Sequence, residues 1–324
     1  MARRLAAEGH GGQPSPVSKA LPVKLARLRG ELRADVVWRM AKHLKLAYST
    51  NGFTRYSLLT AIARIGGLGY DGVEILADKP HWYPQRPGAE VAPIVRALER
   101  AGLAAANINA NCTFGFWSNP PPEPFFEPSL ISPSRQLRRA RIAMILHTLE
   151  FARAVGGRNI SITSGKALPE MPPHRARIIL LESLKPVLEK AEKLGVNVGL
   201  ECEPLLLIEW ASELRQLIDE VGSARLGANL DLGHCIVIGE RPQAAIKLLE
   251  GRIWNCHIED LAGRKHYHLI PGEGTVNFSA IAEALRRVRY DRFATVELYT
   301  CTARPGDAAR RSIDFLRPIF QPCG

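Results

Sequence analysis

From residue 44 onward the chain alternates short apolar runs with longer amphipathic stretches. The short runs are rich in Ile, Val, Leu and Ala, which is typical of buried parallel strands. Eight of them predict strands at residues 44–49, 72–76, 103–109, 159–164, 197–203, 226–232, 253–259 and 293–299. The intervening stretches have helical spacing, and several end in Gly, a common helix stop. Eight such units in about 280 residues predict an α/β fold, a single (β/α)8 TIM barrel.

An open Rossmann sheet is the competing architecture, and it needs a glycine-rich turn directly after an early strand. The sequence "AYSTNGF" at the end of the first strand has no such turn. The glycine-rich loop "IPGEGTV", residues 270–276, follows the seventh strand instead. Loops at this position hold phosphate in some TIM barrels, so a phosphate site there is a minor alternative.

The formal net charge of +11 is concentrated at the amino terminus. Residues 1–43 contain nine Lys and Arg against three Asp and Glu, which leaves an ordinary +5 for the rest of the chain. This segment shows no strand pattern, so residues 1–43 are predicted to be an unstructured extension, with Met40 as a possible true start. The barrel is predicted over residues 44–320 and a short tail over 321–324. Nucleic acid is therefore not favoured as a partner, since most of the excess basic charge lies outside the barrel.

Hydropathy and the spacing of the cysteines indicate the cellular compartment of the protein. The 324-residue chain has no apolar run of about 18 residues and no apolar core of a secretory signal. Its six cysteines are scattered, without a CxxC pair: Cys112, Cys202, Cys235, Cys256, Cys301 and Cys323. These features predict a cytoplasmic protein without a membrane span or a structural disulfide.

Polar residues end the last four predicted strands, in "GLECEP", "NLDLGH", "NCHIED" and "TVELY". They are Glu201, Asp231, His257 and Glu297, separated by 30, 26 and 40 residues, each about one strand–helix unit. Residues at this spacing occupy equivalent places on neighbouring strands, at the mouth where TIM barrels keep their chemistry. The residues two positions earlier are small or polar and the flanking ones are mostly apolar, so the four side chains are predicted to point into the barrel.

Three carboxylates and an imidazole at one place would repel one another or lack partners unless a cation lay between them. A mixed oxygen and nitrogen set suits one divalent ion, such as Mn²⁺, Mg²⁺, Co²⁺ or Zn²⁺. The alternative is that Asp231 and His234 merely cap a loop. Considered together, the four strand ends favour a metal site over loop capping.

The motifs "GLECEP", "NLDLGH", "HIED", "HLIPGEG" and "TVELY" resemble those of the xylose isomerase-like TIM barrels, specifically the sugar phosphate isomerase/epimerase family, over residues 44–320. The resemblance implies one divalent metal bound by Glu201, Asp231, His257 and Glu297. It also implies that the two glutamates transfer protons and that His234 contacts substrate oxygens. His268 matches a position where this family commonly has His.

Further polar residues near strand ends are candidates for substrate binding: Glu203, Glu74, Asn109, His81 and Arg264. For Glu203 and Glu74 a structural hydrogen bond is an equal alternative. Arg264 and His266 share a loop and could meet substrate oxygens, but a solvated basic loop is the simpler interpretation. The Pro- and aromatic-rich segment 112–130 is either a lid over the mouth or an oligomer contact.

The predicted function is a divalent-metal-dependent isomerase or epimerase of a small polyhydroxylated substrate: a sugar, keto-sugar or inosose. Proton transfer would proceed through a metal-stabilised enediolate. The alternatives are a keto-inositol dehydratase-type lyase, an AP endonuclease-like DNA repair enzyme, and a binding protein that has lost its chemistry. Substrate, phosphorylation state, metal identity and the order of the two glutamates stay open, as does a homo-oligomer.

Overall fold

Eight parallel strands form a closed barrel in chain order in the computed structural model, which describes residues 43–84, 91–111, 113–119, 126–169 and 171–322. The strands are β1 Lys45–Ser49, β2 Gly72–Leu76, β3 Ala104–Asn109, β4 Asn159–Thr163, β5 Asn197–Glu201, β6 Leu226–Asp231, β7 Ile253–Ile258 and β8 Phe293–Val296. The predicted TIM barrel is confirmed. The predicted extension, apart from residue 43, and the middle of the 112–130 segment lie outside the described residues.

Helices connect the strands and cover the barrel: α1 Leu58–Gly67, α2 Val91–Ala101, α3 Arg135–Ala154, α4 Pro173–Leu194, α5 Ala211–Val221, α6 Leu232–Ile238, α7 Pro242–Leu248, α8 Phe278–Arg287 and α9 Pro305–Phe320. Short 3₁₀ turns occupy Thr50–Phe53, Phe114–Phe116 and Tyr299–Cys301. The end of α9 closes the fold, because Leu44 N donates to Phe320 O over 3.0 Å. No helix in the described ranges is long and apolar enough to cross a membrane.

The strands bury both of their faces, which explains their near-continuous apolar sequences. Toward the helices, Leu200, Leu230 and Cys256 are fully buried, and burying one Leu side chain stabilises the fold by roughly 1.5–3 kcal/mol. Toward the barrel axis the residues are small or polar. Gly199 is required at this layer, because a Cβ there would lie 2.9 Å from Asn229 N on the neighbouring strand.

Five strands, β4 to β8, end one to three residues earlier than their apolar patterns predict. β6 stops at Asp231 because its carboxylate accepts from His234 N over 2.9 Å and so caps α6, which begins at Leu232. β5 ends at Glu201 and β8 at Val296, where the chain turns into the loops of the mouth. The pattern of apolar residues continues into these loops because they too are packed against the barrel.

The glycine-rich loop 270–276 does not offer its amides to a phosphate. The Asp260 carboxylate accepts from Gly272 N, Gly274 N and Val276 N over 2.8, 2.9 and 3.0 Å. The phosphate site considered from the sequence is therefore wrong for this loop. Its glycines allow the backbone to close on Asp260, since a Cβ at residue 274 would collide with that carboxylate.

Candidate active site

Four side chains meet where β5 to β8 end. Glu201, Asp231, His257 and Glu297 each place a ligand atom within 4.8 Å of the others, and all four are buried. His257 Nδ1 lies 3.4 Å from both Glu201 Oε1 and Glu297 Oε2, and 3.9 Å from Asp231 Oδ2. The register accounts for this, because Asp231 pairs with His257 across β6 and β7. We call these four residues the acidic cluster.

Amide side chains fix the two glutamates of the acidic cluster. Glu297 Oε1 accepts from Asn51 Nδ2 over 2.8 Å and from Asn109 Nδ2 over 3.0 Å. Glu201 Oε2 accepts from Asn229 Nδ2 over 2.6 Å and from Asn111 Nδ2. One oxygen of each carboxylate is thus held by the barrel, and the other is directed toward His257 Nδ1.

A buried carboxylate holds the imidazole from behind. His257 Nε2 donates to Glu74 Oε2 over 2.7 Å, and both side chains are inaccessible to solvent. Asn107 Nδ2 donates to the same Glu74 oxygen over 2.7 Å. Burial raises the pKa of Glu74, but His257 and the hydrogen bonds outweigh it, so that the pKa is lowered. Because the ionised Glu74 accepts from Nε2, Nδ1 of His257 is the nitrogen that faces the two glutamates of the acidic cluster and would bind a cation. Asn229 Nδ2 lies 3.3 Å from this nitrogen.

The acidic cluster fits a divalent cation. Asp231 Oδ2 is buried and has no hydrogen-bond partner among the described residues, whereas its Oδ1 accepts from His234 N. Burial lowers the pKa of His257, yet the charges of Glu297, Glu74 and Glu201 outweigh it and raise that pKa well above its ordinary value. The cluster therefore attracts positive charge, and three carboxylates with one imidazole are ligands for a hard or borderline divalent metal.

Three histidines line the cavity beside the acidic cluster. Nδ1 of His234 donates to Cys202 O over 3.0 Å, and Nδ1 of His268 donates to Glu297 O over 2.8 Å. Their Nε2 atoms consequently face the cavity, where His266 Nε2 lies 3.0 Å from the first and 2.7 Å from the second. Burial lowers the pKa of His268 to about 3. Burial also lowers that of His234, but Asp231 and other carboxylates outweigh it and raise it to about 9.

Glu259 is a further buried carboxyl group that the sequence did not single out. Both of its oxygens are buried without a hydrogen-bond partner among the described residues. Burial, reinforced by the neighbouring Asp231, raises its pKa well above the ordinary value. Gly233 makes room for it, because a Cβ at that position would collide with Glu259 Oε1.

A cavity of about 820 Å³ opens above the acidic cluster. Its floor includes Glu201, Glu297, Asn109 and the three histidines, and Glu203 lies at its side. The pKa of Glu203 is raised to about 7, first by burial. Four proposed substrate-binding residues, His234, His268, Glu203 and Asn109, thus line this cavity.

Three other candidates lie elsewhere, so their expected contact with substrate needs correction. Glu74 lies behind His257 and contacts that ring instead of the cavity. His81 is directed away, with Nδ1 3.0 Å from Thr50 Oγ1 and Nε2 3.3 Å from Phe53 O. Arg264 donates from Nε to Val237 O over 3.0 Å at the surface, as expected for a basic loop.

Sequence reasoning missed Asn51, and it favoured a solvated basic loop for His266, which lines the cavity instead. Asn51 lies two residues after the end of β1, and a polar residue just after a strand end was the sequence signal that could have identified it. His266 is two residues before His268 in "HYH", but φ of His268 is 44°, so strand alternation does not determine where these side chains point.

The closed barrel and the acidic cluster at its carboxyl-end mouth define the class of protein: a TIM barrel with a candidate metal centre. Residues 62–319 match the xylose isomerase-like TIM barrel family. The chain belongs to this family.

Several known proteins are similar over most of the chain. Fructoselysine 3-epimerase of Shigella flexneri is 25% identical over 283 residues, covering 86% of this chain and 98% of that protein. The structure of a D-psicose 3-epimerase in the presence of D-fructose covers 86% of this chain and 99% of its own, with a TM-score of 0.71 and 16% identity. That of IolI with a bound zinc atom has a TM-score of 0.69 and 16% identity over 86% of this chain and all of its own. The nearly full-length match to a curated epimerase supports an isomerase-class enzyme.

Proposed function

We propose that the protein is a divalent-metal-dependent epimerase or isomerase of a keto-sugar or inosose, in which Glu201 and Glu297 transfer protons to and from a substrate carbon. One observation carries the proposal. The outward oxygens of these glutamates each lie 3.4 Å from His257 Nδ1, while amides hold their other oxygens. The two carboxylates come from β5 and β8 and reach the cavity floor from separate sides of the barrel.

The acidic cluster would hold the metal. When bound, a divalent ion acidifies the C–H next to a chelated carbonyl and stabilises the negative charge that develops there. The fit rests on Asp231 Oδ2, which has no hydrogen-bond partner among the described residues, and on the Glu74 contact to His257 Nε2, which leaves Nδ1 facing the carboxylates of the acidic cluster. The zinc atom in the structure of IolI, which has the same fold, supports a bound metal in this chain.

The protein's own residues supply acid–base chemistry and orientation. One glutamate removes the proton and the other returns one; return to the opposite face of the same carbon gives epimerisation, and return to the adjacent carbon gives isomerisation. His234 and His268 direct Nε2 into the cavity, where these atoms bind substrate oxygens. Similarity to fructoselysine 3-epimerase favours epimerisation.

Solvent exchange tests the proton transfer. We would incubate the Mn²⁺-loaded protein in deuterated water with D-fructose, D-tagatose and inososes, and follow deuterium incorporation next to the carbonyl by NMR. Loss of either glutamate, in Glu201→Gln or Glu297→Gln, should lower the exchange rate roughly 10²- to 10⁴-fold. Glu192→Gln is the matched control, since this exposed carboxylate pairs with Arg225 far from the mouth. Exchange at the wild-type rate in both active-site variants would refute the assignment.

A further inference from the structure

The cavity above the acidic cluster has two chemically different parts. Its floor is polar, whereas its outer wall contains apolar side chains from several loops and from the end of α6: Phe114, Phe126, Pro204, Leu205, Trp210, Val237 and Ile238. The total of about 820 Å³ is at the upper end of ordinary small-molecule sites. A single small ketose at the floor would leave this outer wall in contact with water.

Exposed apolar side chains gather at this wall. Leu205 is 74% exposed, Trp210 38% and Tyr299 39%, and all three line the cavity. Contiguous exposed apolar surface at a concave site marks a ligand contact, because its hydration is unfavourable when the site is empty. The wall and the polar floor line the same cavity, so one elongated molecule can contact both.

The backbone at Leu205 is held in an unfavourable conformation. Its φ of 71° lies in the left-handed region, which is costly for a residue with a branched side chain. Glu209 Oε1 accepts from Leu205 N over 2.9 Å, and Leu207 N donates to Gly165 O over 2.9 Å. Strain maintained in this way is common where a side chain is presented to a ligand.

The charges around the cavity disfavour a phosphate group. Among the described lining residues Lys79 is the only Lys or Arg, against the carboxylates of Asp78, Glu203 and Glu209 in addition to the acidic cluster. Phosphate is usually bound by Arg, Lys or free backbone amides. The glycine-rich loop gives its amides to Asp260 instead.

We infer that the substrate is a keto-sugar carrying a neutral substituent with an apolar face, such as an aryl or alkyl group, and that Leu205 and Trp210 bind this substituent. This inference rests on the proposed function for the sugar end of the molecule. Substrates of this class differ from free monosaccharides and from sugar phosphates, which lack such a substituent.

A substrate panel tests the inference with the Mn²⁺-loaded protein. The probes are D-fructose, D-fructose 6-phosphate, and the 1-O-benzyl and 6-O-benzyl ethers of D-fructose, followed by deuterium exchange. We expect kcat/KM for one benzyl ether to exceed that for D-fructose by about tenfold or more, the size of effect that an apolar pocket gives. In Leu205→Ser and Trp210→Ser that ratio should fall toward one. The control is Leu248→Ser, an exposed leucine of α7 that does not line the cavity, which should keep the ratio.

The other outcomes overturn the inference. Equal turnover of D-fructose and both ethers, or preference for the 6-phosphate, would refute it while leaving the proposed function intact. If Leu205→Ser changes the sedimentation coefficient of the protein but not the ratio of kcat/KM values, the wall is a contact between copies of the chain. If no sugar is turned over, the proposed function fails. Isothermal titration of the metal-free protein then decides the inference by whether a benzyl ether binds about tenfold more tightly than D-fructose.

Discussion

Replacing Glu74 by Gln tests whether a carboxylate behind His257 supports a metal. Glu74 Oε2 accepts from His257 Nε2 over 2.7 Å and from Asn107 Nδ2 over 2.7 Å, and Oε1 accepts from Asn109 Nδ2 over 3.1 Å. Each contact requires an acceptor. A Gln side chain provides one oxygen, so its NH₂ group must face at least one of these donors.

The expected loss follows from the burial of this pair. Neither Glu74 nor His257 is accessible to solvent, so water cannot replace the missing acceptor. The substitution also removes the negative charge that makes the imidazole a better ligand. Outer carboxylates of this kind change metal affinity by about 10- to 100-fold, or roughly 1.4–2.8 kcal/mol.

The measurement is titration of Mn²⁺ into metal-free protein by calorimetry at pH 7.5. Glu203→Gln is the matched control: it also removes a carboxylate beside the cavity, but not one in contact with His257, and its Kd should stay within about threefold of the wild type. Circular dichroism melting of both metal-free variants checks that they fold. A folded Glu74→Gln protein with the wild-type Kd would refute the reasoning that this hydrogen bond supports the metal.

Two further predictions concern stability. Burial raises the pKa of Glu297 to about 8, and carboxylates led by Asp231 raise that of His234 to about 9 against the effect of burial. The folded state then holds protons that the unfolded state releases, so the protein loses stability as the pH rises. Calorimetry should therefore show the Tm of the metal-free protein falling from pH 7 to 9, and added Mn²⁺ should reverse much of this loss. A flat or rising Tm would contradict the two pKa shifts. Gly233→Ala places a methyl group on Glu259, and denaturant unfolding should show about 1–3 kcal/mol lower stability than wild type, with Gly67→Ala in open space on α1 as the control.

The barrel, and the fact that the four residues of the acidic cluster lie together, could be predicted from the sequence because both depend on local periodicity. Alternation along each strand assigns a side chain to the axis or to the helices, and one strand–helix unit brings the next residue to the neighbouring position. Asp231 and His257 show this directly, since they are paired in the register of β6 and β7. Their role as metal ligands stays a prediction, which metal titration tests.

The contacts of residues in loops, and of residues that contact a candidate metal ligand from behind, were harder to predict from the sequence. Glu74 follows the inward alternation as predicted, yet Asn107 and Asn255 also point inward and fill the space around it, so that it reaches His257 rather than substrate. Arg264 is six residues beyond the end of β7, where alternation no longer determines direction. Its contact with Val237 depends on the position of α6, which only the folded chain fixes.

The polar interior of the barrel explains why the acidic cluster can be rigid. Thr295 Oγ1 donates to Asn255 Oδ1 over 2.8 Å, Asn255 Nδ2 donates to Asn229 Oδ1 over 2.8 Å, and Asn229 Nδ2 donates to Glu201. An apolar layer at these positions would bury more hydrocarbon, but Glu201 would then lose a buried donor, at a cost of about 1–3 kcal/mol. The asparagines therefore serve the site above them, because the chain of hydrogen bonds from β8 to β5 keeps one Glu201 oxygen occupied and directs the other toward His257.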